Sequence, residues 1–118
     1  MYDVVLYETE SGRCPIQEYL EELTKNNKQN ELTQIFAFVR LLENHGMAVN
    51  NIRHETIRPL RDDIYELRPG KNRLFFFYYT GNKFVLLHAY RKSKGEAPPR
   101  EIRQAKREKD DYIRRNKK

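Results

Sequence analysis

Three strand-like runs in the second half of the chain constrain its fold most: IYELR (Ile64 to Arg68), RLFFFYYT (Arg73 to Thr80) and KFVLLHAYRK (Lys83 to Lys92). Each is short and rich in β-branched or aromatic residues, the composition that suits a pleated, half-buried surface. They are separated by Pro69-Gly70-Lys71-Asn72 and by Gly81-Asn82, residues that supply the backbone freedom of tight turns. The expectation is a three-stranded antiparallel β-meander.

The first half has a different period. Tyr2 to Glu8 (YDVVLYE) reads as a strand, and Ser11-Gly12 as the turn after it. From Pro15, well suited to the first position of a helix, Ile16, Tyr19, Leu20 and Leu23 recur at the spacing of an amphipathic stripe. A second stripe, Leu32, Ile35, Phe36, Val39 and Leu42, runs to Gly46, which stops the helix. The two helices should form an antiparallel hairpin. After Pro98-Pro99, Ile102, Ala105, Tyr112 and Ile113 make a sparse apolar stripe in a charged segment, a marginal surface helix with a frayed tail over 114–118. The fold class is α+β, in one domain over 1–118.

The 118 residues leave room for one modest core, filled by 8 tyrosines and 6 phenylalanines. The single cysteine, Cys14, closes no disulfide within the chain and reads as a small apolar residue at a helix start, so a reducing cytoplasm is the economical setting. No stretch approaches the ~20 apolar residues of a membrane span, and MYDVVLYE lacks the marks of a leader.

The formal charge of +6 is unevenly distributed. Residues 1–52 hold 4 Lys/Arg against 8 Asp/Glu, residues 53–94 hold 10 against 4, and residues 95–118 hold 9 against 5. Basic character therefore begins at Arg53. Such asymmetry points to a polyanion, most commonly nucleic acid, against the plainer reading of a solvated basic face.

Alternation along the last strand puts Phe84, Leu86, His88, Tyr90 and Lys92 on one face and Val85, Leu87 and Ala89 on the other. With the second set taken as the helix-packed face, the first is open. Glu66 and Arg68 share a face of the first meander strand, and Arg73 begins the next. Matched registers would gather Glu66, Arg68, Arg73, His88 and Lys92 on one exposed surface, edged by Lys94 and the basic helix.

At this point the chain resembles a known family. The order of strand, helical hairpin, meander and closing helix, with DIYELR, NRLFFFYYTGNKFVLLHAYRKSKGEAPPREIRQAKRE and the first-helix segment GRCPIQEYLEEL, is similar to the RelE/ParE toxin superfamily, nearest its phage-derived HigB-like branch. The resemblance covers nearly the whole chain and rests on the combination of ELR, an arginine opening a hydrophobic run, and HAYRKSKGEAPPREI. It implies a RelE-like fold and a toxin of a type II toxin-antitoxin pair. It also implies a ribosome-dependent mRNA endonuclease that cleaves RNA with no metal or other cofactor, and a helix-turn-helix, HigA-like antitoxin as partner.

Metal-free RNA cleavage needs a base for the ribose 2′-hydroxyl, cations for the phosphate and an acid for the departing oxygen. By the resemblance, Arg73 clamps the phosphate, Arg68 assists, Lys92 and Lys94 occupy the basic positions ending the strand, and Glu66 or His88 is the base or acid. Ribosomal and messenger RNA would be held by Lys94, Tyr90, Arg91, Arg100, Arg103, Lys106 and Arg107. The chain departs from relatives with a histidine at the strand end, because its histidines are His45, His54 and His88. His88 could equally be a half-buried strand residue bonded to a neighbour, Glu66 a partner that sets the arginines' geometry, and His54 a loop residue. Two other functions stand beside this one: a ParE-like inhibitor of DNA gyrase, which shares the fold but acts by binding protein and against which the ELR, Arg73 and RKSK set speaks, and a non-enzymatic nucleic-acid-binding module, for which the sequence offers no recognition helix of the usual kind.

Charge alone yields one prediction. Affinity for ribosomes should fall steeply with added salt, since each neutralised phosphate releases counterions. Arg103→Glu with Arg107→Glu should weaken that affinity and leave the melting temperature nearly unchanged. A salt-independent affinity in a titration would refute the phosphate-binding reading.

Overall fold

The computed structural model describes residues 1–117. The elements run β1 (Asp3–Leu6), α1 (Pro15–Lys25), α2 (Gln29–His45), a 3₁₀ turn (Gly46–Asn51), β2 (Ile57–Pro59), β3 (Tyr65–Leu67), β4 (Asn72–Tyr79), β5 (Lys83–Arg91) and α3 (Pro99–Arg115). The architecture is α+β: three helices on a five-stranded open sheet of order β1-β5-β4-β3-β2. β3, β4 and β5 form the antiparallel meander, whereas β1 adds in parallel beside β5, with Val5 opposite Val85.

The sheet has one strand more than the sequence suggests. β2 pairs antiparallel with β3, placing Arg58 opposite Glu66 and Pro59 opposite Tyr65. It escapes a pattern search because it is only three residues long and contains a proline, which is tolerated here at the sheet edge. Asp62 and Asp63, at φ 58° and 59°, make the turn that follows, as short polar side chains do more easily than others.

Helix α1 buries Ile16 and Leu23. In α2 the buried set is Leu32, Ile35, Phe38 and Leu42, and Phe36, expected in the stripe, is 56 % exposed. At 100° per residue Phe38 lies nearer the mean direction of Leu32, Ile35 and Leu42 than Phe36 does. Gly46, at φ 59°, ends α2 where a Cβ would stand 2.6 Å from the Tyr2 ring. The Tyr2 amide donates to the Glu43 carbonyl at 2.8 Å, tying the start of the chain to that helix end.

Both faces of the sheet are covered. The α1–α2 hairpin packs on Ile57, Leu67, Leu74, Phe76, Phe84 and Leu86, while α3 lies over Tyr7, Ile64, Phe75, Phe77, Val85 and Leu87. The open face expected for Phe84, Leu86, His88 and Tyr90 is therefore absent. Strict alternation also breaks: Leu74 pairs with Ala89 and Phe76 with Leu86, so β5 takes three steps against two of β4. The extra residue is a bulge that puts Leu87 and His88 together on the α3 side and returns Ala89 to the hairpin side.

Helix α3 is longer than its sparse stripe suggests. It continues through Arg115, where Asp111 accepts from both Arg114 and Arg115, so two residues of the expected tail are helical; Lys118 lies outside the described residues. No helix among the described residues is long and apolar enough to cross a membrane.

The α2 correction can be measured. Phe38→Ala should cost about 3–5 kcal/mol in chemical unfolding, the range for emptying a core aromatic site. Phe36→Ala should stay within about 0.5 kcal/mol. Equal costs would mean that the helix is rotated from the orientation described.

Candidate functional site

The polar residues that the sequence singles out meet at one end of the sheet, beside the loop that leads from β5 into α3. Glu66 on β3 is opposite Phe75, and Arg73 on β4 is opposite Tyr90 on β5, so the register alone brings Glu66, Arg73 and Tyr90 to the same end. Arg68 follows directly on β3. Arg58, Leu60, Gly95, Glu96 and Ala97 complete a narrow cleft around these four side chains.

Glu66 is 4 % exposed and Arg73 is 6 % exposed, which makes their charges costly unless paired. The Glu66 carboxylate faces both guanidinium groups, with Oε1 3.6 Å from Arg68 Nε and 3.8 Å from Arg73 Nε. Tyr90 donates its hydroxyl to Glu66 Oε2 at 3.3 Å. Arg73 Nη1 donates to the carbonyls of Gly70 at 2.7 Å and Asn72 at 3.0 Å, which fixes the plane of its guanidinium. Arg68 is held more loosely, by Glu55 at 3.5 Å, and its buried Nε has no hydrogen-bond acceptor.

These contacts leave a charge imbalance. Two cations share one buried carboxylate, and a nitrogen donor is left without an acceptor. Burial, followed by the neighbouring charge of Arg68, lowers the pKa of Arg73, and Glu66 only partly offsets this. Burial, followed by the Glu66 carboxylate, raises that of Tyr90, which keeps the phenol protonated. The cleft thus offers two guanidiniums, a hydroxyl donor and a carboxylate acceptor within a few ångströms, a set suited to holding an oxyanion and moving a proton beside it.

The other expected site residues lie elsewhere. Arg91, at the end of β5, points to the hairpin face and is paired with Glu31 of α2 through contacts of 2.5 and 3.2 Å, and Asn72 donates to the same carboxylate at 2.9 Å. Lys92 stands one residue past β5, half-buried, its amide bonded to the Lys71 carbonyl at 2.8 Å; Lys94 is exposed in the following loop. On α3, Arg100, Arg103, Lys106 and Arg107 line the outer, exposed face, where Lys106 meets Asp110 at 3.6 Å. Arg58, which no motif marked, enters the cleft because β2 pairs with β3, and its Nη2 lies 3.5 Å from Glu96.

Comparison with protein families places the chain. Residues 18–110 match the family described as Phage derived protein Gp49-like (DUF891). The chain belongs to this phage-derived Gp49-like family, a RelE/toxin-like family. No curated protein matches the chain. The matched stretch contains every residue of the Gp49-like domain's arginine cleft, from Arg58 to Ala97.

Of the catalytic candidates, Lys92 and His88 both lie outside this cleft, and His88 is buried against α3. It is 4 % exposed, with Nδ1 2.7 Å from Glu108 Oε1 and Nε2 3.0 Å from Glu101 Oε1. Both carboxylates belong to α3, so the imidazole fastens that helix to the sheet. Burial opposes its charge, but Glu108 and then Glu101 outweigh burial and raise the pKa. Both ring nitrogens then donate. Among the described residues no group of three His, Cys, Asp or Glu side chains is arranged to hold a metal ion.

The sign of the pH dependence follows from that shift. A folded-state pKa above the unfolded value of about 6.5 means that the clamp's contribution is complete below that pH and is lost as pH rises through the raised value. Denaturant unfolding of the wild-type domain should show this loss on the alkaline side, and His88→Gln should flatten it. A wild-type profile that stays level through this range would contradict a charged clamp.

Proposed function

We propose that this Gp49-like domain is the toxin of a type II toxin-antitoxin pair, of the HigB-like kind, and that it cleaves mRNA on the ribosome. One observation carries the reading: Arg68 and Arg73 converge on the single buried carboxylate of Glu66, with a donor nitrogen of Arg68 unsatisfied, in a cleft beside a basic loop and the basic outer face of α3. A gyrase inhibitor acting through protein contacts has no use for a desolvated cation pair and a proton acceptor in a cleft.

In this reading the scissile phosphate takes the place left open on the two arginines. Glu66 accepts the proton of the 2′-hydroxyl, the 2′-oxygen bonds to phosphorus, and the bond from phosphorus to the 5′-oxygen breaks. The departing oxygen is protonated by Tyr90, whose phenol holds its proton at neutral pH. Products are a 2′,3′-cyclic phosphate and a 5′-hydroxyl end. The location of His88 inside the α3 clamp favours Glu66 over His88 as the base. The exposed cations Lys94, Arg100, Arg103 and Arg107 then hold ribosomal and messenger phosphates around the cleft. A helix-turn-helix antitoxin would neutralise the domain, and the work is done without a cofactor.

Arg73 is the residue on which this stands. Arg73→Ala should lower mRNA cleavage about 10²- to 10³-fold, the typical cost of losing one preorganised donor to developing charge. Growth arrest on induction should disappear. Because Arg73 also bonds two backbone carbonyls, folding of the variant is checked by its melting curve, and Arg73→Lys should restore activity only in part, since an ammonium lacks the planar fork. Mapping new RNA 5′ ends after induction gives the readout. A folded Ala variant that cuts translated frames at the wild-type rate sinks this assignment, and intact mRNA with a supercoiling defect would favour gyrase inhibition.

A further inference from the structure

The arginine pair has a second side. Arg68 and Arg73 also border a wider cleft of about 360 Å³, whose remaining wall comes from α2, from Gly70 in the turn between β3 and β4, and from the segment that joins the 3₁₀ turn to β2. This volume falls within the usual range for small-ligand sites. Arg53 stands at its edge with its guanidinium carbon 5.1 Å from the centroid of the Phe38 ring. That contact holds the guanidinium over the ring, and a guanidinium plane is a surface on which unpaired bases stack. Among the described residues no carboxylate pairs with Arg53 within 4.0 Å.

Glu55 is the single acidic residue on the cleft wall. Its Oε1 lies 3.5 Å from Arg68 Nη1 and its Oε2 lies 4.0 Å from His54 Nε2, although the side chain is 70 % exposed. The backbone at Glu55 is held at φ 59°, which side chains other than glycine rarely adopt. A carboxylate with freedom to leave for solvent is thus presented to the outer edge of an arginine whose inner edge faces Glu66. Cations outnumber it: Arg53, Arg68 and Arg73 border the cleft.

We propose that this cleft is a second phosphate subsite, which takes the nucleotide next to the one at Glu66, with Arg53 as the platform for its base and Glu55 holding the phosphate position until RNA displaces it. The inference rests on the cleavage reading and extends it to a single strand lying across the arginine pair, with one phosphate on each side.

The test uses the full chain and a fluorescent, uncleavable 2′-O-methyl hexaribonucleotide, with affinity read by anisotropy over a range of salt. Arg53→Gln should weaken binding roughly 10-fold, the order of one lost base-stacking contact, and leave the logarithmic salt slope nearly unchanged. Glu55→Gln, which removes the competing carboxylate and keeps the volume, should tighten binding several-fold. Melting curves like the wild type's show that both variants are folded, and the opposite signs of the two effects cannot come from a general loss of structure. Wild-type affinity in Arg53→Gln overturns the subsite, as does unchanged or weaker binding in Glu55→Gln, or a wild-type protein that does not bind the hexanucleotide. None of these results touches the cleavage reading, which is decided separately by Arg73 and the mapped mRNA ends.

Discussion

Phe75, Phe76 and Phe77 stand in succession on β4, each no more than 2 % exposed, and successive strand residues point to opposite faces. A central strand of this kind cannot have a wet face. It requires apolar cover on both sides, and the chain has two sources: the α1–α2 hairpin, which meets Phe76, and α3, which meets Phe75 and Phe77. Once both faces are occupied, polar chemistry is displaced to the ends of the strands. The arginine cleft is found there, where α3 has not yet begun and the loop from β5 supplies Gly95, Glu96 and Ala97 as a wall.

The two covers are secured differently. The hairpin is held by a continuous apolar cluster and by the Glu31 network that joins Tyr19, Asn72 and Arg91. Helix α3 has a strongly charged sequence and few apolar side chains to bury, so burial alone holds it weakly. The Glu101–His88–Glu108 clamp, from its first turn to its middle, and the Tyr7–Asp111–Arg115 contacts near its end, compensate. The same helix can then present Arg103 and Arg107 outward as fixed charges without unwinding from the sheet.

Apart from β2, element order was legible in the sequence because the elements announce themselves locally: turns at Gly70 and Gly81-Asn82, a proline opening α1, a glycine closing α2. What failed depended on a partner. A bulge in β5 follows from its pairing with β4, not from its own residues, and one extra residue was enough to move His88 from an imagined open face into contact with α3. The site followed the same division. Glu66 and Arg68 are two apart on one strand and Arg73 opens the next, so their grouping could be read from alternation and from the family resemblance. Arg58, Arg53 and Glu55 come from a stretch without periodicity, where position is set by the pairing of β2 with β3 and by the turn before it.

Glu66 links the fold to the proposed chemistry. Without it, Arg68 and Arg73 would be two like charges beside each other in a partly dry cleft, and the pKa of Arg73 is already lowered, by burial first and by Arg68 second. With it, neither arginine is fully neutralised, because one carboxylate at 3.6 and 3.8 Å serves both. In the proposed reaction Glu66 gains a proton as the phosphate gains negative charge. The carboxylate therefore loosens its hold on the guanidiniums at the step when the phosphate needs them most, and the two anions exchange the arginines instead of competing for them.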